Sequence, residues 1–196
     1  MSQVAISGNA SGTGTLTIAA PNTNSNYTLT LPEVTGTVLT NKTAGTVLQV
    51  LQTVKTDTFS TTSTSYADIT GLSVSITPSS TTSKIYVIAQ VTGGGTPGTN
   101  NTNFRLVRGS TAICIGTSGG GSRIQSTTSA TPSDVNALQS LIISFLDSPA
   151  TTSATTYKIQ QIVPSGTGYV NRTSSDLDAS YIARATSTIT VMEIAA

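Results

Sequence analysis

Apolar residues recur at every second position along most of this chain, and residues that favour turns interrupt the runs about every 8–12 residues. The pattern is cleanest at Leu72, Val74 and Ile76, with Ser73 and Ser75 between them, and in KIYVIAQV, where Ile85, Val87, Ala89 and Val91 share one face. Period two is strand geometry. No capped amphipathic stretch exceeds a turn or two, so helix is excluded as a main element. Strands are expected at 47–54, 66–69, 72–76, 84–91, 103–107, 112–116, 138–146, 157–163, 169–170 and 188–194. Tyr86 and Ile88 lie opposite the apolar face of 84–91, which predicts a strand covered on both sides. VLQVLQTV (47–54) is apolar enough for an interior strand or a subunit contact. LQSLIISFL (138–146) reads as a buried strand paired with 157–163. Residues 58–65 read as a loop or solvated edge, GGGTPGTNN (93–101) and TSGGGS (117–122) as exposed, mobile loops, and 125–133 as a polar stretch. The expectation is an all-β chain whose residues 46–196 form a β-sandwich, jelly-roll-like head.

Residues 12–40, GTGTLTIAAPNTNSNYTLTLPEVTGTVLT, differ from the rest. Leu16 and Ile18, then Tyr27, Leu29 and Leu31, then Val38 alternate with Thr, and Leu39 adds a further apolar group, but Pro21 and Pro32 interrupt the run. Proline cannot donate to a ladder, and short strand pairs are marginal in water. These residues carry too few apolar groups to build a core alone, so their partners are expected on other copies of the chain. With the boundary placed near Gly45, residues 1–45 read as an extended docking or trimerising β arm or stalk.

The run SGTGTLTIAAPNTNSNYTLTLPEVTGTVLT resembles a segment of tailed-bacteriophage fibre and other virion proteins that reads roughly GTGTLTL–aPNTNSN–TLTLP–TGT. The following VLQVLQTVKTDTFSTTSTSYADITGLSVSITPSSTTSKIYV is similar to a module attached to such segments in marine and cyanobacterial phages. The resemblance implies a homotrimeric virion projection. A tail fibre that contacts the host is the first reading, and a capsid decoration, cement or head-fibre protein the alternative. A small tailspike-type polysaccharide hydrolase and a cellular adhesin module are further classes. The implied partners are two further copies, other virion proteins through residues 1–45, and a host surface polysaccharide or receptor.

Thr and Ser make up about a third of the 196 residues, and charged residues only 9%. Disorder goes with low hydrophobicity and high net charge. Here 36% of residues are hydrophobic, mean hydropathy is +0.09 and net charge is +1, so folded β structure is the expectation. The nine Lys and Arg form no cluster, which argues against nucleic acid. No run of about 18 apolar residues exists to cross a membrane. The start MSQVAISGNASGTG lacks a basic segment followed by an apolar one, so no Sec leader is expected. The chain would be assembled in a host cytoplasm and released in a virion by lysis.

The chain has no histidine, which removes Ser-His-Asp triads, Cys-His dyads and the usual zinc sites. A pair of carboxylates could still act as in glycosidases, but most of the eight carboxylates sit at expected turns, and there is no tryptophan platform for sugar. Asp176 and Asp178 alternate in a loop without the further oxygens that Ca²⁺ needs, and read as solvated. The expectation is therefore no enzyme, no cofactor and no metal. Cys114, between Ile113 and Ile115, reads as a buried, unreactive strand thiol. Asn26, Asn41, Asn100 and Asn171 begin Asn-X-Thr triplets that composition alone explains. Thr96, Asn100, Asn101, Ser118 and Gly120 are the candidate receptor-facing loop residues. Tyr66, Tyr86, Tyr157, Tyr169 and Tyr181 read as core with the hydroxyl at the rim, with sugar contact as the other use.

Overall fold

The computed structural model describes residues 11–13, 24, 26, 43–96, 101–131 and 133–196. The chain divides into two units, Met1–Thr37 and Val38–Ala196, and the architecture below is that of the second. The alternating runs of the expected arm lie outside the described residues, and so do its Leu16, Ile18, Tyr27, Leu29, Leu31, Val38 and Leu39, and the loop residue Asn100.

The described residues form eleven strands and no helix. They are β1 (Val47–Lys55), β2 (Phe59–Thr61), β3 (Ala67–Ile76), β4 (Lys84–Gly95), β5 (Thr102–Arg108), β6 (Thr111–Ile113), β7 (Thr128–Ala130), β8 (Gln139–Asp147), β9 (Thr155–Ile162), β10 (Gly168–Val170) and β11 (Ser187–Ile194). Two antiparallel sheets result. The first runs β1-β11-β4-β10-β2, with β8 on the opposite edge of β4; the second runs β3-β9-β5-β6, with β7 also on β5. Residue pairing fixes this order: Ala89 of β4 faces Ile189 of β11 on one side and Ile143 of β8 on the other.

One core lies between the sheets. Ile85, Val87, Ala89 and Val91 of β4 and Ile189 and Val191 of β11 meet Leu72, Val74 and Ile76 of β3, Phe104 and Leu106 of β5, and Ile159 of β9. These are the positions that period two sends inward, and Ser73 and Ser75 face out as expected. Each fully buried aliphatic side chain contributes about 1.5–3 kcal/mol, so the alternation itself is the main driving force. Polar links join the layers. Asp147, at the end of β8, accepts from Arg108 Nη1 of β5 at 2.8 and 2.9 Å and from the Tyr157 hydroxyl of β9 at 2.6 Å. Buried Glu193 of β11 accepts from Gln49 Nε2 at 2.6 Å and from the Ser79 N–H and hydroxyl at 2.7 Å each. Burial by itself would raise the Glu193 pKa; the hydrogen bonds from Gln49 and Ser79 outweigh it and bring it down to about 2. They tie β1, β11 and the β3–β4 turn together.

Several expectations are corrected. GGG at 93–95 is the buried end of β4, not loop: Gly93 and Gly94 pair with β10, and a Cβ on Gly93 would come within 2.9 Å of the Phe104 ring. Glycine is needed there for close approach. Thr96 is the first residue past the strand. β8 and β9 do not pair with each other; β8 adds to β4 and β9 to β3 and β5, because residues 148–154 cross between layers. β8 is an edge strand whose Ile142 and Leu146 are exposed, and of its apolar residues only Ile143 is buried. β1 is not interior either: Val47, Val50, Leu51 and Val54 are all exposed. The segments 58–65 and 125–133 each contain a three-residue strand, β2 and β7. Asp147 is buried and ion-paired, so it ends β8 by linking layers. Cys114 lies just past β6 at φ 53, half-buried against the core.

Candidate functional site

Strand direction gives the body two different ends. Val47, Lys84 and Ile194 pair in one row, and Asp147 pairs with Ile85. Residues 43–46, 77–83, 148–154 and 195–196 therefore gather at that end. The chain arrives there: Gly45, at φ 84, donates its N–H to the Ala195 carbonyl at 2.8 Å, and the Ala195 N–H returns to Thr46 O at 2.9 Å. At the opposite end Gly95 pairs with Gly168, Gly93 with Gln139 and Thr102 with Ala130. Thr96, Asn101, Thr131 and residues 133–138, 163–167 and 171–186 lie there. This loop end is the candidate functional surface, because binding groups concentrate on loops held by a rigid scaffold.

Asn171 organises it. The side chain is fully buried and the backbone takes φ 63, a left-handed conformation that Asn tolerates better than most residues. Nδ2 donates to the carbonyls of Lys55 and Asp57, each at 2.9 Å, and Oδ1 accepts from Ser187 Oγ at 2.6 Å. The Asn171 N–H donates to Thr92 O at 2.9 Å, and its carbonyl accepts from Ala185 N–H at 3.0 Å. One residue thus joins β1, β4, β10 and β11 and closes the long loop at its base. A side chain so buried is no surface acceptor, so its Asn-X-Thr triplet is structural.

Beyond Asn171 the loop is held by charge. Asp176, at φ 45, accepts from Arg172 Nη1 at 2.9 Å and from Arg184 Nε and Nη2 at 2.9 and 2.7 Å. Hydrogen bonds from Arg172 and then Arg184 hold its pKa below the ordinary value. Arg172 also stacks over Tyr169, 4.3 Å from the ring centroid. Asp176 is therefore an ion-paired brace and not a solvated carboxylate, and its oxygens are committed to guanidinium groups. Among the described residues no three His, Cys, Asp or Glu side chains come together as metal ligands. Ser175 donates its N–H to Val135 O at 3.0 Å and its hydroxyl to Asn136 Oδ1 at 2.6 Å, which joins the 171–186 and 131–138 loops. The braced tip presents Leu177, Tyr181 and Val135 to solvent, Tyr181 with 70% of its surface exposed. Leu177, Asp178, Ala179 and Ile182 line an open groove of about 270 Å³ beside Arg184.

The residues proposed from sequence divide. Thr96 is half-buried at the loop end, its N–H donating to Thr167 O at 3.1 Å. Asn101 is exposed there, accepting from Thr131 Oγ1 at 3.1 Å. Ser118 and Gly120 are exposed but lie elsewhere, on the excursion between β6 and β7 at the edge of the second sheet. Of the tyrosines, Tyr157 is core. Tyr66 is capped by Arg105 at 3.9 Å and donates to Gln125 O, Tyr86 bonds Ser144 Oγ on a sheet face, and Tyr181 is free to contact a ligand. Val135 and Leu177 are not singled out by sequence reasoning, whereas Tyr181 is named there with sugar contact as its second use. The available signal was lone apolar residues set in polar loops.

No family model matches the chain, and no curated protein matches it.

Proposed function

We propose that this chain is a non-enzymatic structural protein of a tailed-phage virion: a homotrimeric, fibre-type projection whose sandwich-like, jelly-roll-type head contacts the host surface. The observation that carries this reading is the polarity of the body. The chain comes in at one end through Thr46 and Gly45, and at the other end a braced loop pair holds Tyr181, Leu177 and Val135 in solvent. Such a body suits docking through residues 1–45 and contact at the far tip. The sequence resemblance supplies the context, namely attachment to other virion proteins, assembly in the host cytoplasm and release by lysis. An exposed aromatic ring beside a shallow groove suits a surface polysaccharide or receptor; the chain's near-neutral charge does not suit nucleic acid. Asp176, the best-placed loop carboxylate, is locked by two arginines and is a poor acid or nucleophile, which supports a binding role over hydrolysis.

The test is adsorption. Particles carrying Tyr181→Ala with Leu177→Ala should assemble with normal yield but adsorb to host cells at least tenfold more slowly. Unchanged adsorption with the variant chain present would overturn host contact through this end. Capsid decoration is the second reading. It is favoured by the broad uncharged outer face of the first sheet, which a flat-lying cement protein would also use.

A further inference from the structure

The outer face of the first sheet has no covering layer among the described residues. Pairing places its outward side chains in three rows: Val50, Met192, Tyr86 and Leu146; Gln52, Thr190, Ile88 and Ser144; Val54, Thr188, Gln90 and Ile142. No charged residue occurs in these rows, and Lys84 stands only at the rim. Several polar members are already paired across strands. Gln52 Nε2 donates to Thr190 Oγ1 at 2.8 Å, Tyr86 and Ser144 share a 2.8 Å bond, and Gln90 Nε2 donates to Ser140 Oγ at 2.9 Å. Buried polar groups are costly only when unpaired, so this face can lose water cheaply. The most exposed apolar groups form two columns on opposite margins: Val50 and Val54 on β1, Ile142 (73% exposed) and Leu146 on β8.

We infer that this face is a subunit interface between copies of the chain, with the β8 column of one copy on the β1 column of the next, closing a threefold ring. The count of three rests on the virion reading above; the interface does not. Size is adequate. Four strands about 4.8 Å apart, and the roughly five residues per strand that the three rows span at about 3.4 Å each, give roughly 330 Å² of projected face. That is the core of a standard interface, which removes about 800 Å² of accessible surface per partner. Interface cores are depleted of charge, as here. The two apolar columns stand on opposite margins, so β1 of one copy can meet β8 of another about a twofold or around a ring; the virion reading selects the ring. A highly charged partner would find no complement on these rows.

The test uses the full-length chain with Ile142→Asp, Val54→Lys and the double variant, by sedimentation velocity across a dilution series. Both positions face solvent in one copy, so the variants should keep the wild-type far-UV spectrum. Each single variant buries an unpaired charge and should raise the dissociation midpoint about a hundredfold. The double variant, with opposite charges on facing columns, should recover at least tenfold of that. Hydroxyl-radical labelling supplies a second readout. Met192, between the two apolar columns in the first row of the face, should be protected relative to Tyr181 in the wild-type assembly and lose that protection in the single variants. The inference is overturned by a chain that stays monomeric at tens of micromolar, by an assembly that withstands both single charges with Met192 still protected, or by a double variant no better than either single. A monomer found in particles, its Met192 protected only there, would overturn this interface and leave the virion role standing. The predicted variant behaviour in a chain absent from particles would do the reverse.

Discussion

Replacing Asn171 by Ala should be among the most damaging single changes in the body. The substitution deletes one acceptor and two donor contacts of the amide and leaves Lys55 O, Asp57 O and the Ser187 hydroxyl without that partner. A buried group left unsatisfied costs about 1–3 kcal/mol. Two of these contacts are fully buried and the Asp57 one partly, so the loss is about 3–5 kcal/mol on that scale. Holding Ala rather than Asn at φ 63 adds about 1 kcal/mol. The sum, about 4–6 kcal/mol, approaches the whole stability of many domains. Urea denaturation at fixed protein concentration measures it. Asn171→Gly separates the two parts, since glycine accepts the backbone angle and should be about 1 kcal/mol less damaging than alanine. Hydrogen exchange should show the amides of 172–186 losing protection first. An alanine variant costing under about 1.5 kcal/mol would refute the claim that Asn171 anchors the loop end, because no accounting of the lost bonds reaches so low a figure.

Other outcomes follow from the same structure. Glu193 has a native pKa of about 2 against an ordinary 4.5. The unfolded chain therefore takes up its proton first on acidification, so the stabilisation is full above about pH 4.5 and disappears as pH falls towards 2; it amounts to roughly 3 kcal/mol. Glu193→Gln should flatten the stability–pH curve in that window, and an unchanged curve would contradict the network with Gln49 and Ser79. Tyr66 is pushed up to about 12 by burial, against the opposing charge of Arg105. Burial and the hydrogen bond to Asp147 push Tyr157 further. Absorbance titration at pH 11 should thus show about two fewer ionised tyrosines in the native chain than in urea. Gly94→Ala would place a Cβ 2.8 Å from Arg172 O and 3.3 Å from Ala137 O. A cost of about 1–3 kcal/mol is expected by thermal melt, and a neutral effect would mean the loops do not close over β4.

The strands were legible because their driving force is local. Period-two patterning at 72–76, 84–91 and 188–194 names both the element and its buried face, and the structure buries the same residues. Pairing was less legible. Residues 138–146 and 157–163 are adjacent in sequence with a short link, which argues for a hairpin, yet the Arg108–Asp147–Tyr157 link and the 148–154 crossover put them in different sheets. The same apolar run was read as buried because composition does not report which side of a strand is left without a neighbour. The glycines at 93–95 looked like a loop; only the three-dimensional approach of Phe104 and Arg172 explains why a strand would contain them. At the loop end, composition directs attention to the polar Thr96 and Asn101; it names Tyr181 only among tyrosines expected in the core and passes over Leu177, although both are exposed at the tip. What exposes them is the Arg172–Asp176–Arg184 brace, assembled from residues four and eight apart that individually look like ordinary surface charges.

The most direct test of the account is a reconstruction of purified tailed-phage particles carrying this chain, at a resolution that traces strands. Three copies around an axis, joined to the particle on the Gly45 side with the Tyr181 loops pointing away, is the predicted result. Absence of the chain from the particle, or a body attached through its Tyr181 end, would contradict it.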